Sequence, residues 1–169
     1  RRLSQVALAI ACYGHFRIEH NLGHHAAVAT PEDCASARMG ESIYCFALRE
    51  LPGGLRRSWS LESRRLARQG KATWSPANEI LQSWTLTLFL QGGLVLALGW
   101  SALPWLLLHN LWAWLQVTGV NYIEHYGLLR QVESGGRRER CRPRHSWNSN
   151  HRMSNLLLFN LQRHSDHHA

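Results

Sequence analysis

The sequence predicts an all-α fold built around membrane-crossing helices, and three observations carry the prediction. The first is where the charges are. No Asp, Glu, Lys or Arg occurs among the 44 residues from Ile80 to Ile123, although 18% of the 169 residues are charged. A helix needs about 20 mostly apolar residues to cross a bilayer, so this stretch is long enough for two crossings and a turn. The mean hydropathy of −0.28 conceals it, because the flanking segments are rich in arginine. The second observation is punctuation: Gly99-Trp100-Ser101-Ala102-Leu103-Pro104 lies near the middle of the stretch, where Gly supplies a turn and Pro suits a helix start. The third is histidine spacing. The patterns HxxxHH and HxxHH place imidazoles three and four residues apart, on one helix face. A buried helix pair in a soluble core is the alternative, but soluble helices rarely run this far without a surface charge.

Each element follows in turn. Leu3–Gly14 is apolar but too short to span alone. Because the chain starts at Arg1 without Met and stops at Ala169 directly after a His cluster, the sequence reads as an internal fragment, with residues 1–14 as the end of a span. Residues 15–79 form a polar segment, 80–123 a transmembrane hairpin, and 124–169 a second polar segment. Trp84, Trp100 and Trp105 fall near the hairpin's ends, where indoles favour the headgroup region. Pro52-Gly53-Gly54 and Ser134-Gly135-Gly136 predict turns. Leu55–Gly70 has the Arg- and Leu-rich spacing of a helix along the membrane surface.

Charge sets the orientation. Segment 15–79 carries nine basic and seven acidic residues, and the tail from Glu124 carries eight Arg and four acids. A hairpin brings both to one side, which the positive-inside rule makes cytoplasmic. The sequence pI near 10.2 therefore needs no nucleic acid, and no nucleic-acid motif is present. Cys12, Cys34, Cys45 and Cys141 form no CxxC pair, which fits packing or surface thiols kept reduced rather than a zinc ribbon.

Eleven histidines are present, and two tight triplets stand out: His20, His24 and His25, and His164, His167 and His168. Within each triplet, helical spacing aims two rings at one ion and leaves a third for a neighbouring metal. Imidazole suits iron, copper, zinc or nickel, and spacing alone does not select among them. The triplets can share a site only if the chain between them crosses the membrane an even number of times, as a hairpin does. His125 leaves the second span at the same face, where a seventh ligand and a structural hydrogen bond are equally good readings. His145 and His151, among Ser and Asn residues, fit either ligands or groups that fix ligand tautomers. His15 reads as structural. His109 lies mid-span, where a helix–helix hydrogen bond is the ordinary explanation.

Five stretches carry a family resemblance: Tyr13–His25 (YGHFRIEHNLGHH), Ala29–Tyr44 (ATPEDCASARMGESIY), Asn121–Gln131 (NYIEHYGLLRQ), His145–His151 (HSWNSNH) and Leu161–Ala169 (LQRHSDHHA). HxxxHH and HxxHH resemble the last two His boxes of the membrane di-iron hydroxylases and desaturases. LQRHSDHHA and NYIEHYG resemble, more narrowly, the bacterial alkane 1-monooxygenases. The resemblance runs along essentially the whole chain. It implies part of a single membrane hydroxylase domain, an integral inner-membrane helical bundle with a cytoplasmic His-rich di-iron site. Its implied metal ligands are His20, His24, His25, His125, His164, His167 and His168. The implied cofactor is two non-haem Fe, with O2 as co-substrate. The implied reaction is hydroxylation of the terminal methyl of medium- or long-chain n-alkanes to 1-alkanols, with electrons from rubredoxin and rubredoxin reductase.

Two departures qualify the match. The family's first box, HExxxH-like, is absent, so the isolated chain is expected neither to complete the site nor to act alone. Arg144 stands where relatives often have a further His. Neutral imidazoles leave the iron charge largely uncompensated, so nearby carboxylates must set tautomer and basicity. Glu19, Glu124 and Asp166, each beside a ligand, are candidates for that role or are solvated acids. An alkane has no polar handle and must be aligned by shape. Leu88, Leu96, Trp112 and Leu115 are candidate channel residues, although ordinary lipid-facing or bundle packing is the better account of each. Competing readings are a xylene-type side-chain hydroxylase, a fatty-acyl desaturase, and a non-catalytic metal-binding membrane module.

Overall fold

The helix over Glu79–Leu98 shows most directly how the sequence encodes its own boundaries. Asn78 caps it from an extended backbone conformation, its side chain accepting from Ile80 N and Leu81 N as helix N-termini require. The Glu62 carboxylate accepts from Glu79 N at 2.7 Å, satisfying another orphan donor. At the far end Gly99 adopts φ +82°, which a side chain would resist. The next helix begins at Ala102, with Pro104 in its first turn, where a missing N–H costs nothing.

The computed structural model describes residues 2–168. Arg1 and Ala169, the outer ends of the first and last segments outlined above, lie outside the described residues. In chain order the elements are α1 (Arg2–Ile10), α2 (Phe16–Ile18), a π-helical turn (Glu19–His24), α3 (His25–Ala27), α4 (Ile43–Arg68), α5 (Glu79–Leu98), α6 (Ala102–His125), a 3-10 turn (Pro143–His145), α7 (Arg152–Leu157) and α8 (His164–His167). No strand occurs among the described residues; Val132 and Arg138 form one isolated antiparallel bridge. The all-α expectation therefore holds.

The chain divides into two compact units, Arg1–Gly23 with Pro52–Val117, and His24–Leu51 with Thr118–Ala169. In the first, α1 packs on α5: Thr87 Oγ1 donates to Ala9 O at 2.8 Å. A Cβ at Gly14 would stand 2.1 Å from Ser83 Cβ, so only glycine allows this approach. α5 is the one described helix long and apolar enough to cross a membrane, and only 17% of its most apolar window is buried. Leu88, Phe89 and Leu96 are each more than 70% exposed. Such a surface is stable against lipid or further protein, not against water. α6 is longer, 24 residues, but His109, Asn110, Gln116, Thr118 and Asn121 dilute its apolar character.

Two expectations are corrected here. Pro52-Gly53-Gly54 is not a turn: it lies inside the 26-residue α4. Phe46 and Leu66, both fully buried, anchor the helix on either side of it, and packing outweighs the local cost of Pro. Among the described residues His109 has no helix–helix bond; its Nδ1 faces its neighbour Asn110 Oδ1 at 3.3 Å. The interhelical polar contact is Asn110 with Gln91, paired through both amides at 2.8 and 3.1 Å.

The second unit is unusual in what it buries. Beside Val28, Ala29, Ala35, Ala37 and Phe46, its interior holds His24, Asp33, Glu50, Thr118, Asn121, Glu124, His125, Glu139, His145 and His164. Buried polar groups are the informative departure from an ordinary core, and the histidines among them, His145 apart, converge on one place.

Candidate metal centre

Four histidines of the second unit, His24, His125, His164 and His168, bring ring nitrogens within 4.8 Å of one another. His24 ends the π-helical turn, a geometry frequent at functional sites. His125 is the last residue of α6, while His164 begins α8 and His168 follows it. The Nε2 atoms of His125 and His164 lie 3.0 Å apart, and those of His164 and His168 2.8 Å apart.

Three of the rings have a partner behind them. His24 Nδ1 donates to Asp33 Oδ2 at 2.8 Å, His164 Nδ1 lies 2.8 Å from Glu124 Oε2, and His125 Nδ1 donates to the carbonyl of His145 at 3.1 Å. A carbonyl only accepts, so His125 carries its proton on Nδ1 and turns the Nε2 lone pair inward. The same direction follows for His24 from the Asp33 carboxylate, while Glu124 approaches His164 as an ion-pair neighbour without hydrogen-bond geometry. Burial, followed by the neighbouring His24 and His164, pushes His125 down to about 3. His25 is lowered to about 4 by burial and then by His167, His24 and His164. Burial also lowers His167 and His168. Neutral imidazoles are the state that metals bind. Facing lone pairs at hydrogen-bond distance repel one another unless a cation lies between them, so the donor set fits a metal ion.

A second pair adjoins this group. His25 Nε2 and His167 Nε2 are 3.1 Å apart, and the rings of His25 and His168 are centred 4.5 Å apart. His20 belongs to the first unit, half-buried and stacked on Phe16 at 5.0 Å. Thus six of the seven predicted ligands lie together in the second unit.

The predicted supporting groups divide. Glu124 lies beside His164, and His145 supports His125 through its carbonyl rather than its ring. Glu19 is buried in the first unit, 3.8 Å from Arg57. Asp166 is exposed and pairs with Arg163 at 3.3 Å; two residues beyond His164, it emerges on the opposite side of α8. His151 is exposed before α7 and faces Ser154.

Asp33 is the residue that sequence reasoning missed. It stands nine positions after His24, a spacing with no helical meaning, and a folded loop closes the gap. Ser36 Oγ donates to Asp33 Oδ2 at 2.6 Å and accepts from Ala29 N at 2.9 Å. Arg49 pins the loop by donating to Cys34 O, Ser36 O and the Glu41 carboxylate. Burial alone would raise the Asp33 carboxyl, but hydrogen bonds from His24, Ser36 and Ala35 outweigh it and hold it below the usual range. Glu50, also missed, accepts from Thr118 at 2.6 Å and Asn121 at 2.8 Å, and burial raises it.

Apolar space occurs in both units. A groove of about 870 Å³ in the first unit includes Leu88 and Leu96 in its lining, whereas Trp112 and Leu115 line no described cavity and are exposed. A smaller pocket of about 180 Å³ lies beside Glu124, walled by Val120, Ile123, Trp147, Leu158 and Leu161.

Comparison with known proteins agrees with this geometry. The chain is 56% identical over its whole length to alkane 1-monooxygenase 1 of Alcanivorax borkumensis and 54% identical to alkane 1-monooxygenase of Ectopseudomonas oleovorans, covering 42% of each. It is 30% identical over 152 residues, 89% of the chain, to the xylene/toluene monooxygenase hydroxylase component XylM of Pseudomonas putida, 40% of which is covered. The chain thus spans about two-fifths of the length of the curated relatives it matches. The resemblance carried by NYIEHYG and LQRHSDHHA is borne out. The fatty acid desaturase family profile matches residues 2–169; the chain belongs to this membrane-integral family.

Proposed function

We propose that the natural full-length protein is a membrane di-iron monooxygenase that hydroxylates the terminal methyl of medium- or long-chain n-alkanes to 1-alkanols. The observation that carries this reading is the set of converging Nε2 atoms, with Asp33, Glu124 and the His145 carbonyl at the Nδ1 atoms of His24, His164 and His125. The names of the 54–56% identical relatives supply the substrate class. His20, His24, His25, His125, His164, His167 and His168 are the proposed ligands.

Two iron ions held there by the histidines would supply O2 activation: with two electrons from the donor protein and two protons, one oxygen atom would enter a terminal C–H bond and the other would leave as water. The protein's own contribution is position and dryness. Asp33 keeps the proton on the outer nitrogen of His24 and raises the basicity of the inner one. Burial of His24, His125 and His164 keeps bulk water off the reacting centre. The pocket beside Glu124 offers apolar walls that hold a methyl group by shape. The four segments 1–14, 15–79, 80–123 and 124–169 are read as a span end, a polar segment, a hairpin and a second polar segment of one domain in the bacterial inner membrane. The histidines then face the cytoplasm. Rubredoxin, reduced by its reductase, is the proposed electron donor. Exposed Arg137, Arg140 and Arg142 suit docking of an acidic carrier.

The test expresses the full-length protein with its redox partners and supplies octane and hexadecane. Formation of 1-alkanol that needs iron and O2, and disappears in His24→Ala and His164→Ala, supports the proposal. Oxidation confined to the methyl groups of xylenes would replace it with the activity named for the 30% identical relative.

A further inference from the structure

The loop between α6 and the 3-10 turn holds a buried carboxylate with no direct contact to the imidazole cluster. Glu139 is 5% exposed and works as a hub. Its Oε1 accepts from Gln131 N at 2.9 Å and from His145 Nε2 at 3.1 Å, and Oε2 accepts from Arg144. Its backbone N–H donates to Gln131 O at 2.9 Å, so both its main chain and its side chain fasten one strand of the loop to the other. His145 is tied on its second nitrogen too, where Nδ1 accepts from Arg142 N at 2.9 Å. A neutral ring that accepts at Nδ1 carries its proton on Nε2, and Nε2 donates to Glu139. With both nitrogens engaged and only 2% exposure, the His145 ring has one available setting, and its carbonyl is fixed with it.

That carbonyl accepts from His125 Nδ1. The next residues clamp the same helix end: Trp147 N donates to Glu124 O at 2.8 Å, and Trp147 Nε1 to Tyr126 O at 3.0 Å. Glu124 O is a C-terminal carbonyl of α6 that the helix itself leaves unpaired, and Tyr126 O lies just beyond the helix end. Residues 145–147 therefore hold both His125 and the backbone of Glu124, the partner of His164.

We propose that Glu139 and His145 are positioning residues of the metal site: Glu139 locks the His145 ring, and the His145 carbonyl locks the tautomer and orientation of His125. The proposal rests on the reading of His125 as a ligand. A carboxylate two links from a ligand usually invites a surface-ion-pair explanation, but a surface pair with Arg144 alone requires neither the burial nor the bond to His145.

The experiment measures metal affinity by chelator competition on the full-length protein, together with the EPR signature of its ferrous nitric-oxide adduct. Glu139→Ala is expected to weaken metal binding by about 10–100-fold, the usual effect of removing a partner behind a ligand, and to broaden the EPR signal. Glu139→Gln keeps an oxygen acceptor for Gln131 N and His145 Nε2 and is expected to stay within a few-fold of the parent. His145→Phe, which keeps ring volume but loses both ring bonds, is expected to match Glu139→Ala and serves if the latter does not fold. Parent-like affinity in both Glu139→Ala and His145→Phe would overturn the proposal, as would equal losses in Glu139→Ala and Glu139→Gln. His125→Ala separates the two layers. If it retains full metal, the ligand reading itself fails; if it loses metal while Glu139→Ala does not, only the positioning role fails.

Discussion

Asp33→Ala tests a fully buried interaction in the site. The carboxylate accepts from His24 at 2.8 Å, Ser36 at 2.6 Å and Ala35 N at 3.3 Å, all within the buried interior. A hydrogen bond to a charged group contributes about 1.5–3 kcal/mol, and a buried donor left unpaired costs about 1–3 kcal/mol. The Ser36 hydroxyl can rotate toward another acceptor and the Ala35 bond is long, so His24 carries most of the effect. A net loss of about 2–4 kcal/mol follows from those figures. It falls on metal binding, because an unheld His24 is free to rotate or to place its proton on the inner nitrogen. At about 1.4 kcal/mol per tenfold the expected weakening is about 30–700-fold, reaching above the 10–100-fold usual for losing a group behind a ligand. Asp33→Asn, which retains one oxygen for the His24 N–H, is expected to lie between Ala and the parent. The assay is chelator competition with purified full-length protein, paired with thermal melts of the metal-free form. If Asp33→Ala binds metal within twofold of the parent, the tautomer-locking argument is wrong.

Other perturbations have equally definite outcomes. Acidification is expected to release metal and to destabilise the metal-free fold as pH falls from about 6.5 toward 4 and 3. His25 and His125 titrate at about 4 and about 3 when folded, against 6.5 in the unfolded chain. A depressed histidine contributes stability above its unfolded value and loses it as protons bind the unfolded state first. Metal content measured across that range should fall, and undiminished metal below pH 3, where both rings take up protons, would contradict the assignment of neutral ligands. Gly127→Ala places a side chain at φ +70° with its Cβ 2.4 Å from Met39 Cε; a loss of about 1–3 kcal/mol should lower the melting temperature. Pro52→Ala restores a helical N–H at an exposed position within α4, so a gain of up to about 3 kcal/mol and a higher melting temperature are expected.

Much of the site was legible because its signals are local. HxxxHH and HxxHH are helix-face patterns, and the charge-free stretch from Ile80 to Ile123 reports the bilayer's demand on composition directly. What escaped depends on chain closure. Asp33 reaches His24 only because Arg49 and Ser36 fold the intervening loop, and Glu139 reaches His125 only through His145. Neither link has a periodicity that a sequence displays. Pro52 misled for the opposite reason: its local preference is strong, but anchors at Phe46 and Leu66 override it. Asp166, adjacent to a ligand in sequence, points away from it because neighbouring helical residues diverge by about 100°.

The central claim is that these imidazoles hold two iron ions. Iron counting by elemental analysis on the full-length protein, with Mössbauer spectra of the 57Fe-loaded form, tests it most directly. The account predicts two iron ions per chain in nitrogen-rich surroundings, both diminished in His164→Ala. Zinc in place of iron, or iron unchanged in that variant, would contradict it.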